Sequence, residues 1–351
     1  MPDAPVDQRV RPPLVELTLA RVREMFREPE ALFWVFIFPI LMAAVLGLAF
    51  RSRPPNPVPV AVVAGPRAEA RDAALKTAPE ITVRVLPEDE ARRDLGRGRV
   101  VLVVSAGEPP TYVFDPTNAE SLTARLVVDA ALQRAAGRAD AFEPGRHTIT
   151  EPGSRYVDFL VPGLLGMNLM GTGMWGIGFS LVVARNGNLL KRFVAAPVRR
   201  SHLLGAQLLS RLLFLVPEAG ALLAFAWLVL GVPLRGSMVL LAAVSLLGAL
   251  AFSGLGLLTA SRARTIEGVS GLMNFVMVPM WIFSGIFFST DRFPAVLQPF
   301  VKALPLTALN DALRAVILDG AGFATLAPEV ALLSGWGLVA FVVALRIFRW
   351  H

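Results

Sequence analysis

The chain has 351 residues, 54% of them hydrophobic and 17% charged, with 34 Lys+Arg against 27 Asp+Glu and a net charge of +7. Soluble globular proteins carry about 45–50% apolar and about 25% charged residues, so the composition departs toward a membrane on both counts. There is no cysteine, which excludes a disulfide framework, a thiolate metal site and a cysteine nucleophile together.

Residues 1–30 contain one amphipathic stretch. On a wheel turned by about 100° per residue, Leu14, Val15, Leu19, Val22, Met25 and Phe26 fall within an arc of about 140°. Glu16, Arg21, Arg23, Glu24, Arg27 and Glu28 lie opposite, and only Leu17 is out of place. The pattern predicts an interfacial helix whose apolar face lies in lipid or against other helices.

Apolar runs of about 20 residues cross a bilayer. Six are predicted, at 31–50, 160–184, 212–232, 238–260, 269–289 and 330–345, the last ending against Arg346. Thirty residues before the first run, and a run longer than about 7–15 residues, argue against a cleaved signal peptide.

Between the first two runs, residues 51–159 hold 15 basic and 15 acidic side chains. Strands are predicted at 58–63, 81–86, 100–104 and 112–114, with Pro59 pointing to the first residues of a strand or to an edge. Helices are predicted at 67–76, 88–95 and 120–138. Strands alternating with helices make this a small α/β domain with a largely parallel sheet. Residues 53–59 are a Pro-rich spacer, and 107–110 and 143–153 are loops. Nothing in the domain has the spacing of a catalytic or metal site; His147 stands alone.

Orientation follows from Lys and Arg near the ends of the runs. Segments 1–30, 185–211, 261–268 and 346–351 together carry 15 basic residues, while 233–237 and 290–329 carry 4. Both termini are therefore expected in the cytoplasm and residues 51–159 outside it. The basic residues flank spans instead of forming a stripe, which argues against nucleic acid as a partner. His147, His202 and His351 are far apart in sequence, and no nucleophile–base pair is apparent, so catalysis finds little support.

Glu218 is the one ionisable residue well inside a predicted span, and such a residue is a functional candidate by default. Arg211 lies two turns earlier on a similar face, so a transport role and a paired or snorkelling structural acid both stay open. Asn168, Asn274 and Thr172 suit interhelical hydrogen bonds, and Asn168 and Asn274 join Glu218 as candidates for a transport pathway. Thr172, Gly176 and Ser180, four apart, favour close helix packing and also suit a surface lining a substrate path. In 188–200, Leu189, Leu190, Phe193 and Val194 share an arc while Lys191 and Arg192 point away, and Pro197 ends the turn. That stretch reads as a short helix presented to a cytoplasmic partner, or as a basic loop that only fixes topology.

Four segments resemble the permease subunits of type-2 ABC exporters. Arg27-Glu28-Pro29 leading into 31–50, with Pro39 inside it, is similar to the family's interfacial helix and first span. Phe159-Leu160-Val161-Pro162-Gly163 is similar to its entry to the second span. Residues 186–198, from Asn186-Gly187-Asn188 through Lys191-Arg192-Phe193 to Pro197, resemble its coupling helix. Phe283-Ser284-Gly285-Ile286-Phe287-Phe288, Phe293-Pro294, Leu304-Pro305-Leu306-Thr307 and Asp311-Ala312-Leu313-Arg314 resemble the stretch between its fifth and sixth spans. Ser289–292 depart from it, standing where a proline-containing turn is common. The resemblance implies an α-helical membrane protein of six transmembrane helices, with a small extracytoplasmic α/β domain between helices 1 and 2 and re-entrant outer helices at about 290–320. It implies a bacterial inner-membrane exporter subunit that pairs with a second permease copy or paralogue. ATPase subunits would dock through Leu189, Leu190, Lys191, Arg192, Phe193 and Pro197, with ATP and Mg bound there and no cofactor in this chain. The sequence has no G-x-x-x-x-G-K-[ST] phosphate loop, so the motor is expected on another polypeptide. Two other readings remain: a secondary carrier using Glu218 as a proton site, disfavoured because inverted repeats are not evident, and a membrane-anchored interaction protein.

Overall fold

A computed structural model describes residues 12–50, 57–139, 142, 155–187, 200–263 and 265–347, divided between one unit of Met1–Arg51 with Thr150–His351 and another of Ser52–Ile149. α1 (Pro13–Arg27) opens on Pro13, whose fixed φ and missing N–H suit a first helical position. It ends there because Pro29 disfavours helical geometry at the residue before it, and Glu28 is extended at φ −104° and ψ 90°. Pro29 starts α2 (Pro29–Ala49), which contains one π-helical turn at Phe33–Ile37.

The unit Ser52–Ile149 holds β1 (Val58–Val63), α3 (Ala68–Leu75), β2 (Ile81–Leu86), α4 (Glu88–Gly96), β3 (Leu102–Val104), β4 (Tyr112–Phe114) and α5 (Ala119–Ala135). Strand order is β2-β1-β3-β4; β1 runs parallel to β2 and β3, and β4 antiparallel to β3. Val60, Val62, Leu102 and Val104 pack with Ala68 and Leu75 of α3 and Ala124 and Val128 of α5. Ala61, Val63 and Val103 pack with Ala91 of α4 on the other face. Burial on both faces is why β1 reads as an apolar run without alternation. Pro59 lies on this central strand and not at an edge; the ladder to β3 begins one residue later, at Val60↔Leu102, so its missing N–H precedes that ladder.

In sheets wound this way, ligands bind beyond the carboxyl ends of the strands where the winding reverses, here β1 and β3. The chain's own loops occupy that crevice. A Cβ on Gly65 would stand 3.1 Å from Ala106 Cβ, and the buried Arg71 donates to Ser105 O and, at 2.6 Å, to Gly107 O. On β4, the Tyr112 hydroxyl donates to Asp129 Oδ1 at 3.0 Å. Burial, then the Asp129 carboxylate, pushes the phenol up to about 12. A raised pKa favours the protonated folded state, so this contribution is complete below about pH 10, the ordinary tyrosine value, and lost as pH rises toward 12. The chain has 2 tyrosines, so with Tyr156→Phe the tyrosinate absorbance reports Tyr112 alone. Its midpoint is expected near the higher value; a midpoint at the ordinary one sinks the assignment.

In the other unit follow α6 (Tyr156–Asn186, with a π-helical turn at Trp175–Phe179), α7 (Arg200–Leu228), α8 (Met238–Ala260) and α9 (Ile266–Phe283). Then come a 3-10 turn at Thr290–Arg292, α10 (Gln298–Ala303), α11 (Pro305–Ile317) and α12 (Ala327–Ile347). Six helices among the described residues are long and apolar enough to cross a membrane: α2, α6, Leu209–Leu228 of α7, α8, α9 and Phe323–Ile347, which includes α12. The chain is a largely helical, multi-pass membrane protein with a small sheet. Within this unit α6 and α8 are the most enclosed, while α2, α9 and α12 expose Val45, Phe275 and Leu338.

The fifth apolar run, expected to reach residue 289, leaves the helix after Phe283. Asn310 Nδ2 donates to Ser284 O at 2.8 Å, and Gly285 turns the chain with φ +69°, a conformation that favours glycine. The sixth helix begins earlier than expected, at Ala327, because Pro328 and Glu329 suit a first helical turn. α11 has 13 residues, about 20 Å of helix, too short to cross; it buries Leu306, Leu309, Leu313 and Val316 in the helical core. α1 packs on α7 around the buried Thr18, with Phe26 and Phe214 rings 5.8 Å apart. Leu17 lies partly buried, whereas Val15 and Phe26 are exposed. The packed seam is thus rotated away from the middle of the apolar arc, which places Leu17 on it.

Candidate functional site

A string of buried and partly buried polar groups crosses three helices. It begins with Pro39 in α2. Proline has no N–H, so the carbonyl four residues earlier, Val35 O, loses its α-helical donor; Asn168 Nδ2 of α6 donates to it at 3.1 Å. Thr172 stands one turn after Asn168, and its hydroxyl lies 2.8 Å from Asn168 O and 3.0 Å from Glu218 Oε1 of α7. Arg211, two turns before Glu218 on the same face, approaches Glu218 Oε2 with Nη1 at 2.6 Å and also donates through Nη2 to Thr172 Oγ1. Glu218 is 2% exposed and Arg211 8%.

This arrangement gives Glu218 the partner that its spacing from Arg211 suggested. An isolated carboxylate in hydrocarbon is costly, and a buried pair is tolerable only with close geometry and further hydrogen bonds. The pair is close and Thr172 contacts both partners, while Arg211 Nε is buried without an acceptor, so Glu218 is paired and the pair ties α6 to α7. Asn168 joins the same string as an interhelical tie. Asn274 stands exposed on α9 and takes no part in it. Thr172, expected to suit interhelical hydrogen bonds and close packing, is the junction; its four-residue spacing from Asn168 was the available signal.

At the ends of the helices, arginines hold backbone carbonyls. Arg155 pairs with Asp158 at 2.7 Å and donates to Leu230 O at 3.0 Å and Gly231 O at 2.8 Å, closing the end of α7 onto the start of α6. Arg314 of α11 lies 3.8 Å above the Phe159 ring and donates to Gly285 O and to Phe159 O. Arg185, near the end of α6, donates to Ala263 O at 2.8 Å. In the sequence Arg155 and Arg185 read only as charges and Arg314 only as part of a resembling segment, because their acceptors are backbone groups far along the chain. The expected docking residues Leu189, Leu190, Lys191, Arg192, Phe193 and Pro197 lie outside the described residues. Among the described residues no cluster of three or more metal-ligating side chains occurs.

The family model for ABC-2 family transporter protein matches residues 29–346. The chain belongs to the ABC-2 transporter family. This ABC-2 chain is 26% identical over 173 residues to the inner membrane transport permease YhhJ of Escherichia coli K12, covering 49% of the chain and 46% of that protein. It is 26% identical over 196 residues to the probable multidrug ABC transporter permease YbhS of the same organism, covering 54% and 52%. With ABC transporter G family member 20 of Dictyostelium discoideum it shares 28% identity over 173 residues, covering 49% of the chain and 23% of that protein. The ABC-2 chain thus spans about half the length of the first two relatives.

Proposed function

We propose that the chain is the membrane-spanning permease subunit of an ATP-driven exporter, and that two copies, or one copy and a paralogue, enclose the translocation path. The observation that carries this reading is the family match over 29–346 in a sequence without a phosphate-binding loop. ATP and Mg belong to separate ATPase subunits, which dock on 188–200 through Leu189, Leu190, Lys191, Arg192, Phe193 and Pro197. Closure of the ATPases pushes that segment and tilts α6 and α7 as a pair, held together by the Thr172–Glu218–Arg211 string, so that the path opens outward. Both termini lie in the cytoplasm of a bacterial cell, and the α/β unit, inserted between the first two spans, lies outside the inner membrane. The short helices α10 and α11 enter the membrane from the outer side without crossing it. The pairing of Glu218 with Arg211 weighs against a carrier that uses this acid as its proton site.

The absence of cysteine makes the orientation directly testable. A membrane-impermeant maleimide applied from outside should label Glu69→Cys and reach Glu267→Cys only after the membrane is opened; the reverse pattern contradicts the orientation. The purified chain alone should also turn over no ATP, and turnover by it alone contradicts a separate motor.

A further inference from the structure

The last turn of a helix leaves carbonyls without N–H partners and carries partial negative charge. α8 ends at Ala260, and its exit turn runs through Ala263 toward Thr265, whose hydroxyl caps α9 by accepting from Gly268 N at 3.0 Å. The groups at this exit turn include Ala260 O and Ala263 O, and Arg185 of α6 reaches both, with Nη1 at 3.5 Å and 2.8 Å. Arg185 is two residues before Gly187, where α6 ends and 188–200 begins. The side chain that leads into the proposed docking segment is therefore bonded to the turn from which α9 starts. α9 is among the less enclosed of the long helices, and Val269 and Met273 bury its inner face in the helical core.

We propose that Arg185 is a positioning residue that carries movement of the 188–200 segment into the α8–α9 turn, so that α9 moves with α6 when the ATPases close. This rests on the coupling role proposed for 188–200. A guanidinium suits the task because it offers several donors in a fixed planar fork and keeps its charge.

The test uses the full chain in complex with its ATPase, spin-labelled at Asn186→Cys and Glu267→Cys, two exposed positions in a sequence without cysteine. Pulsed dipolar spectroscopy is run without nucleotide and after trapping with ATP and orthovanadate. With Arg185 present, one narrow distance is expected in both states. With Arg185→Gln the distribution should broaden, and trapping should change the distance. Transport should be lost while ATP turnover and complex formation persist, and Arg185→Lys should restore part of the fixed distance. A merely structural role predicts the same loss of thermal stability with and without nucleotide and no trapping-dependent change. If Arg185→Gln leaves the distance fixed in both states, the inference is overturned and the docking role of 188–200 stands. If the unsubstituted chain fails to hold the ATPase, the docking role falls and the inference with it.

Discussion

Glu218→Leu and Arg211→Met are each expected to destabilise the folded membrane unit by about 3–5 kcal/mol, whereas the double substitution costs far less than their sum. The asymmetry follows from what each change leaves behind. Glu218→Leu strands a guanidinium that is 8% exposed, and Arg211→Met strands a carboxylate that is 2% exposed. The double change removes both charges and leaves the Thr172 hydroxyl with Asn168 O as its acceptor at 2.8 Å, so no buried group is orphaned. Unfolding in detergent micelles, measured for the four chains of the cycle, gives the coupling directly. Additive losses would mean that the two residues act independently, contrary to a 2.6 Å pair.

Gly178→Ala is the second large effect. A Cβ on Gly178 would lie 2.4 Å from Gly256 O on α8. A backbone oxygen inside a helix cannot step aside, so α6 and α8 must separate along a shared buried face, a cost of about 1–3 kcal/mol or more for overpacking. Met273 Cε also lies in the way, at 2.3 Å, but a flexible methionine end can move. Gly176, two residues earlier in the same π-helical turn, has nothing within 4 Å of its Cβ position. Gly176→Ala is therefore the matched control, expected to leave stability unchanged or slightly improved through helix propensity. Equal losses from both would assign the effect to the turn's backbone and not to the α6–α8 contact.

Much of the architecture was legible in the sequence where one physical signal dominates. The strands at 58–63, 81–86 and 112–114 have the same bounds in sequence and structure, because β-branched and aromatic runs there are bounded by Pro, Gly, Asp or charged helix starts. Apolar runs located the six long helices for the same reason. Hydropathy failed at 284–289, where Phe287 and Phe288 continue the apolar run beyond a chain reversal; only the positive φ of Gly285 marks the break. The wheel of α1 placed its apolar arc correctly but not its seam, because one helix in isolation does not say which part of an apolar arc meets protein.

The candidate site was half legible. Glu218 and Arg211 share a face by their spacing of seven, and Asn168 and Thr172 by their spacing of four, so each half could be read along its own helix. That the two halves meet, and that Asn168 reaches a carbonyl freed by Pro39, depends on how α2, α6 and α7 lie side by side. The arginine clamps were illegible for a plainer reason: their acceptors are main-chain oxygens, which carry no side-chain signature.

The central claim, a permease driven by a separate ATPase through residues 188–200, is most directly tested by co-purifying the chain with its ATPase and measuring ATP turnover, with and without Leu189→Asp and Phe193→Asp. A carboxylate at either apolar anchor should prevent docking, so the complex and its turnover are expected to be lost while the permease itself remains folded and inserted. A complex that forms and turns over ATP undiminished with both substitutions in place would contradict the account.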